Sequence, residues 1–145
     1  MEAKLKFGID KLLFGMKQEH VEFVYGKPNF KYFDEDENII LGFNSLQSRL
    51  TFYADEDFRL GYITSISKDL SFFETNILGK SKEEVLNLFK NNKVEKWETE
   101  ILDGVEMLFN EDNWVFLHFD YNELVKVEIG AVFNNQDEFD WKFKS

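Results

Sequence analysis

Hydrophobic positions recur along this chain in two periods, and the whole succession of periods occurs twice. Leu13-Phe14-Gly15-Met16-Lys17-Gln18-Glu19-His20-Val21-Glu22-Phe23-Val24-Tyr25 returns 64 residues later as Ile77-Leu78-Gly79-Lys80-Ser81-Lys82-Glu83-Glu84-Val85-Leu86-Asn87-Leu88-Phe89. Gly15 and Gly79, Glu19 and Glu83, and Val21 and Val85 keep that spacing, as do Phe14/Leu78, Val24/Leu88 and Tyr25/Phe89. In the second copy Val85, Leu88 and Phe89 fall on one face at helical spacing. Ser81 and Glu84 form a capping box ahead of them. That helix should end near Lys90, with Asn91 or Asn92 taking the left-handed terminal conformation. Val21, Val24 and Tyr25 repeat the face in the first copy, with Gly26 as the stop and Pro28 barring continuation. Lys17 stands where Ser81 caps, so the first helix is expected to be the weaker.

Strand patterning follows each helix. Val115, Leu117 and Phe119 alternate with Trp114, Phe116 and His118, and Val125, Val127 and Ile129 alternate with Lys126 and Glu128. Asp120-Tyr121-Asn122-Glu123 supplies a tight turn between these runs. The first copy has Leu50-Thr51-Phe52-Tyr53, an acidic turn over Asp55-Glu56-Asp57-Phe58, then Leu60-Gly61-Tyr62-Ile63. Earlier strands are expected near Ile39–Phe43, Val94–Thr99 and Val105–Phe109. A unit of short helix plus antiparallel strands cannot bury its apolar face alone, whereas two units can. The expected fold is therefore α+β. A single domain is built from two repeats, residues 9–66 and 73–130, which join into one antiparallel sheet with both helices on one face. The opposite face is left to solvent, where polar residues are the rule. The tail, Asp137-Glu138-Phe139-Asp140-Trp141-Lys142-Phe143, reads either as a final edge strand or as a docking segment.

Composition narrows the function classes. At 145 residues, with 17 Phe and 3 Trp, the chain can build a core without metal or disulfide staples. The absence of Cys removes disulfides, thiolate metal sites and thiol catalysis. Neither a signal peptide nor a spanning helix is legible in the sequence, so a cytoplasmic location is expected. Seventeen basic against 28 acidic residues give a net charge of −11. That field disfavours nucleic acid and anionic membrane and favours a basic protein partner, although solubility alone also accounts for it.

Phe14-Gly15, Glu19-His20-Val21, Tyr25-Gly26-Lys27-Pro28 and Leu50-Thr51-Phe52 together carry a resemblance. The pattern resembles the β-lactamase inhibitor protein fold, whose unit the small outer-membrane assembly lipoproteins share in single copy. It spans roughly Gly8 to Gly130, with Lys90-Asn91-Asn92 in place of the Gly-x-Pro corner in the second copy. The resemblance implies a protein that binds other proteins across its free sheet face. Several bacterial immunity proteins that neutralise toxins are similarly small and acidic.

Candidate site residues lie on that expected free face. Trp114, Phe116 and His118, joined by Trp97 from a preceding strand, would form an aromatic patch of the kind that marks interfaces. Glu98, Glu106, Asp120 and Glu128 would surround it with charge. Alternatively the tail, through Phe139 and Trp141, covers the same residues as a second small core. The equivalent first-copy positions, Arg49 and Thr51, are polar, so the patch is biased to the second half.

The acidic runs Asp34–Glu37, Asp55–Asp57 and Glu111-Asp112 fall at turns and lack the ligand alternation of a calcium loop. His20 and His118 show no metal-ligand spacing, and no phosphate loop or nucleophile elbow is present. No catalytic, metal or cofactor site is expected. The expectation is a protein-binding inhibitor or immunity protein acting on a basic partner by steric occlusion. The alternative is a non-catalytic assembly scaffold or small-ligand-binding module.

Overall fold

The computed structural model describes residues 1–144. Its elements run β1 (Glu2–Lys4), β2 (Gly8–Ile9), β3 (Leu12–Leu13), α1 (Gln18–Tyr25), β4 (Phe30–Phe33), β5 (Ile39–Phe43), β6 (Ser48–Tyr53) and β7 (Arg59–Ser65). The second half continues with β8 (Ser71–Phe72), β9 (Thr75–Asn76), α2 (Lys82–Asn91), β10 (Glu98–Leu102), β11 (Val105–Asn110), β12 (Val115–Asp120) and β13 (Glu123–Gly130). The chain is α+β, as the patterning implies, but it forms two sheets rather than one, the larger antiparallel throughout and the smaller mixed. The larger has eight strands in the order β10-β11-β12-β13-β7-β6-β5-β4. The smaller has five, ordered β3-β2-β1-β8-β9.

The smaller sheet explains how the halves are tied at their starts. Hairpin β2–β3 belongs to the first half and hairpin β8–β9 to the second. Strand β1 joins them, antiparallel to β2 and parallel to β8, where Ala3 faces Phe72. Its strands of two or three residues are too short to leave an alternation in the sequence, which is why the pattern shows one sheet only.

Local signals account for the helices. Ser81 Oγ accepts the Glu84 N–H at 3.2 Å while Glu84 Oε1 accepts the Ser81 N–H at 3.3 Å, so both arms of the capping box form. In α1 the imidazole substitutes for one arm: His20 Nδ1 accepts the Lys17 N–H at 3.1 Å. Gly26 ends α1 at φ 81°, a backbone region that favours glycine. After α2 the left-handed residue is Lys93, at φ 64°, rather than Asn91 or Asn92.

Val21 on α1, with Val85 and Phe89 on α2, is fully buried. These side chains join one continuous core with Leu50, Phe52, Leu60 and Ile63 of the first half and Val115, Leu117, Phe119, Val127 and Ile129 of the second. Each such side chain contributes roughly 1.5–3 kcal/mol of transfer free energy. Both edge strands of the large sheet, β4 and β10, are exposed along their whole length.

Hydrogen bonds recur at the spacing of the sequence matches. Gly15 N–H donates to Leu60 O at 2.9 Å, and Gly79 N–H to Leu124 O at 2.8 Å. The return bonds, Leu60 N–H to Met16 O and Leu124 N–H to Lys80 O, keep the same 64-residue relation. Both hairpins carry a register shift, at Thr51/Phe52 in one and His118/Phe119 in the other. Between β12 and β13 the turn residues Tyr121 (φ 49°) and Asn122 (φ 60°) are both left-handed, as a two-residue hairpin connection requires.

The tail is neither an edge strand nor a cover for the aromatic patch. Beyond the single bridge between Phe133 and Phe139 it makes irregular contacts. Phe139 packs 5.6 Å from Tyr53, Phe143 packs 4.5 Å from His20, and Lys142 and Phe143 donate their backbone N–H groups to Phe14 O at 3.0 Å. His20 is thus a capping and packing residue rather than a surface decoration.

Candidate functional site on the free sheet face

Alternation along β6, β7, β12 and β13 sends one set of side chains into the core and the other to the opposite face. The core set is fully buried, whereas Thr51, Tyr62, Thr64, Phe116, His118, Lys126 and Glu128 are half-buried. Strand register then fixes which residues share a row. Arg49 faces Thr64, Thr64 faces Glu128, Glu128 faces Phe116, Phe116 faces Phe109, and Phe109 faces Glu98.

One end of the row is aromatic. Phe109 and Phe116 stack with centroids 4.2 Å apart, and Trp114 stands edge-on to Phe109 at 5.0 Å. Trp114 adopts φ 52°, and its indole lies over Gly130, where an added Cβ would come within 2.4 Å of the ring. The same device recurs on this sheet, with Phe30 over Gly42 and Tyr53 over Gly61. Phe109, on the preceding strand, is the aromatic partner that the sequence reading did not include. Its alternation within Val105-Glu106-Met107-Leu108-Phe109 was the available signal.

The centre of the face is a polar network. Tyr62 donates its hydroxyl hydrogen to Glu128 Oε1 at 3.0 Å, and His118 Nε2 pairs with Glu128 Oε2. Burial pushes the Glu128 carboxyl up, but the His118 hydrogen bond and charge, the Tyr62 hydroxyl and the Lys126 charge outweigh it and leave the group below its ordinary value. Burial, with the Glu128 charge and hydrogen bond, pushes the Tyr62 phenol well up, so it stays a donor. Burial and the Asp34 charge push Tyr53 up to about 12. Glu128 therefore holds Tyr62 and His118 together across three adjacent strands, β7, β13 and β12. Among the described residues His118 makes no further side-chain hydrogen bond, and no hydroxyl nucleophile is joined to its other ring nitrogen.

Of the residues read as binding residues from sequence, Trp114, Phe116, His118, Glu128 and Glu98 fall on this face. Asp120 follows them at the hairpin end of β12 on the same alternation. Two do not join them. Trp97 packs edge-on to the buried Phe89 of α2 at 5.5 Å, on the helix side. Glu106 faces Phe119, also on the helix side, and pairs with Lys82 at 3.0 Å. A one-residue difference in strand phase separates Glu106 from the patch, whereas Trp97, expected on a strand over Val94–Thr99, lies ahead of β10 in irregular chain that follows the left-handed Lys96 (φ 72°). Asp34 closes its turn by accepting the Asp36 and Asn38 N–H groups at 2.9 Å, and Asp57 pairs with Lys17 at 2.5 Å, so these two acids act locally.

Among the described residues, no helix is long and apolar enough to cross a membrane. No family model matches the chain, and no curated protein matches it. Solved structures share the fold. The chain is similar to an extracellular protein containing an SCP domain from Bacillus anthracis str. Ames, with a TM-score of 0.53 and 16% identity over 79% of this chain and 43% of that one. It is also similar to a cysteine-rich secretory protein from Staphylococcus aureus subsp. aureus Mu50, with a TM-score of 0.51 and 12% identity over 88% of this chain and 47% of that one. The chain thus spans under half the length of both proteins, and at these identities the likeness is one of fold.

Proposed function

We propose that this chain is a non-catalytic protein-binding module that docks a basic partner on the aromatic half of its free sheet face. The observation that carries the reading is the Phe109/Phe116/Trp114 cluster, half-buried on the face opposite the helices, with no ring of the described tail residues stacked on it. Stacked aromatics held rigid by their own neighbours lose little entropy on binding, which suits them to anchor a contact. The net charge of −11 supplies the attraction for a basic partner, and Glu98 and Asp120 lie on the same face as the anchors. In its sharpest form the module sequesters its partner by steric occlusion, as an inhibitor or immunity protein does. The resemblance of the repeat pattern to an inhibitor fold supports that form. The partner class does not depend on compartment: the two structural neighbours are described as extracellular and secretory, while the sequence reading favours the cytoplasm.

A second reading is favoured by the share of the neighbours that the fold occupies, 43% and 47%. In it the module serves as one part of a larger assembly and its free face docks an adjoining domain.

Affinity capture with the wild-type chain and with Trp114→Ala, in low and high salt, tests the proposal. The expected result is one stoichiometric basic protein, retained by the wild type, released by salt and lost from the variant at unchanged thermal midpoint. A complex indifferent to both Trp114→Ala and salt would overturn it. Retention of an acidic partner, or of a domain from an SCP-type protein, would favour the second reading.

A further inference from the structure

The other end of the free face holds a cavity of about 510 Å³ whose lining includes Phe30, Gln47, Arg49, Thr64, Ile66 and Lys126. Its volume falls within the range of small-ligand sites. Its chemistry runs against the rest of the molecule. In a chain carrying 28 acidic residues, the charged side chains that line it are a guanidinium and an ammonium. Among the described residues, neither Arg49 nor Lys126 has a carboxylate within ion-pair distance. The nearby carboxylate on this face, Glu128, is already engaged by Tyr62 and His118. Arg49 is set in place by neutral groups instead: Nη1 donates to the Tyr32 hydroxyl at 3.4 Å, and Cζ stands 5.6 Å over the Phe30 ring.

Unneutralised cations at a concave, partly apolar wall are the arrangement by which proteins recognise an anion that carries an apolar group. A guanidinium fork matches the two oxygens of a carboxylate. Thr64, which stands between Arg49 and Glu128 in one row, adds a hydroxyl, and Gln47 and Asn44 add amides. The 39%-exposed Phe30 and the 56%-exposed Ile66 supply apolar surface.

We infer that this cavity is a binding site for a carboxylate attached to an apolar or aromatic group, with Arg49 and Lys126 as its anion-binding residues. The inference goes beyond the protein-docking reading and rests on different side chains, so either stands without the other. The carboxylate has two possible sources, a free small acid or a peptide chain terminus.

The test is an amide and side-chain NMR titration of the full chain. The probes are N-acetyl-L-phenylalanine and its primary amide, with a triglycyl-phenylalanine peptide in free-acid and amidated forms. Saturable shifts at Arg49, Thr64, Ile66 and Gln47 are expected with a free acid and not with its amide. Arg49→Gln and Lys126→Gln should each weaken that binding by about tenfold or more. Lys31→Gln, an equal charge change on edge strand β4 away from the cavity lining, should leave it unchanged. If the peptide acid binds and the small acid does not, the site reads a chain terminus; if both bind, the small acid suffices. Equal binding of acid and amide, equal losses in Arg49→Gln and Lys31→Gln, or no saturation by any probe would each overturn the assignment.

Discussion

Thr64 pairs directly with Glu128 at the centre of the eight-stranded sheet, and the two are 64 residues apart, the spacing that relates Gly15 to Gly79. In an antiparallel pair the local two-fold axis passes between facing residues, so residues that match in the two halves meet where the halves join. An experimentally determined structure should therefore let residues 9–66 be superposed on 73–130, with Gly15 on Gly79, α1 on α2 and both hairpin shifts coinciding. If the segments refuse a common overlay, the matched hydrogen bonds are chance.

The two glycines should differ when replaced. Both have positive φ, 108° for Gly15 and 92° for Gly79, so alanine is strained at either, at roughly 1–3 kcal/mol. At Gly15 a Cβ would also come within 2.8 Å of Phe143 O and 3.1 Å of Trp141 Cβ, whereas at Gly79 the nearest atom is Glu123 Oε1 at 3.7 Å. Urea unfolding should show Gly15→Ala the more destabilising, because backbone of the tail must move. Equal losses would mean that the tail is not held against Gly15.

Glu128 gives the fold an acid-sensitive centre. Its folded value lies below the ordinary one, so its contribution to stability is complete above the usual glutamate range, near pH ~4.3, and is lost as the pH falls through the lower folded value. Glu128→Gln should cost about 1–3 kcal/mol at neutral pH, since Tyr62 and His118 lose a charged partner. Chemical denaturation of both proteins from pH 7 downward should show the gap closing in that acid window. A gap that stays constant down to strongly acid pH would exclude the carboxylate as its source.

Helix capping offers a comparison within one molecule. Ser81→Ala removes the acceptor for the Glu84 N–H and should lower stability by about 0.5–2 kcal/mol. His20→Ala removes the acceptor for the Lys17 N–H and the ring against Phe143, so it should loosen the tail as well as α1. Hydrogen exchange is the discriminating measurement: protection of the Phe143 amide should fall in His20→Ala and persist in Ser81→Ala.

Gly130→Ala should disturb the binding face without entering the core. A Cβ there would meet Trp114 Cδ1 at 2.4 Å and force the indole off the strand, against Phe109 and Phe116. Near-ultraviolet circular dichroism should change while the far-ultraviolet spectrum holds. An unchanged aromatic spectrum would mean the indole does not rest on Gly130.

What the sequence determined by itself is local or repeated. The capping box at Ser81–Glu84, the stop at Gly26, the tight turn at Tyr121-Asn122 and the strand at Ile39–Phe43 depend on near neighbours, and each was legible from residue type and spacing. Alternation over residues 114–119 likewise separated Trp114, Phe116 and His118 from Val115, Leu117 and Phe119. What only the tertiary structure decided is how distant strands align. Glu106 went to the helix side because a strand's phase relative to its neighbour is set by pairing, and one residue reverses every side chain; Trp97 went there because β10 begins only at Glu98. The smaller sheet has no signature, since strands of two or three residues show no period. The Tyr62–Glu128–His118 network joins residues up to 66 positions apart, and the Arg49–Lys126 cavity needs β6, β7 and β13 side by side. Such sites exist only once the register of the central strands is fixed, because their residues carry no mutual spacing in the chain.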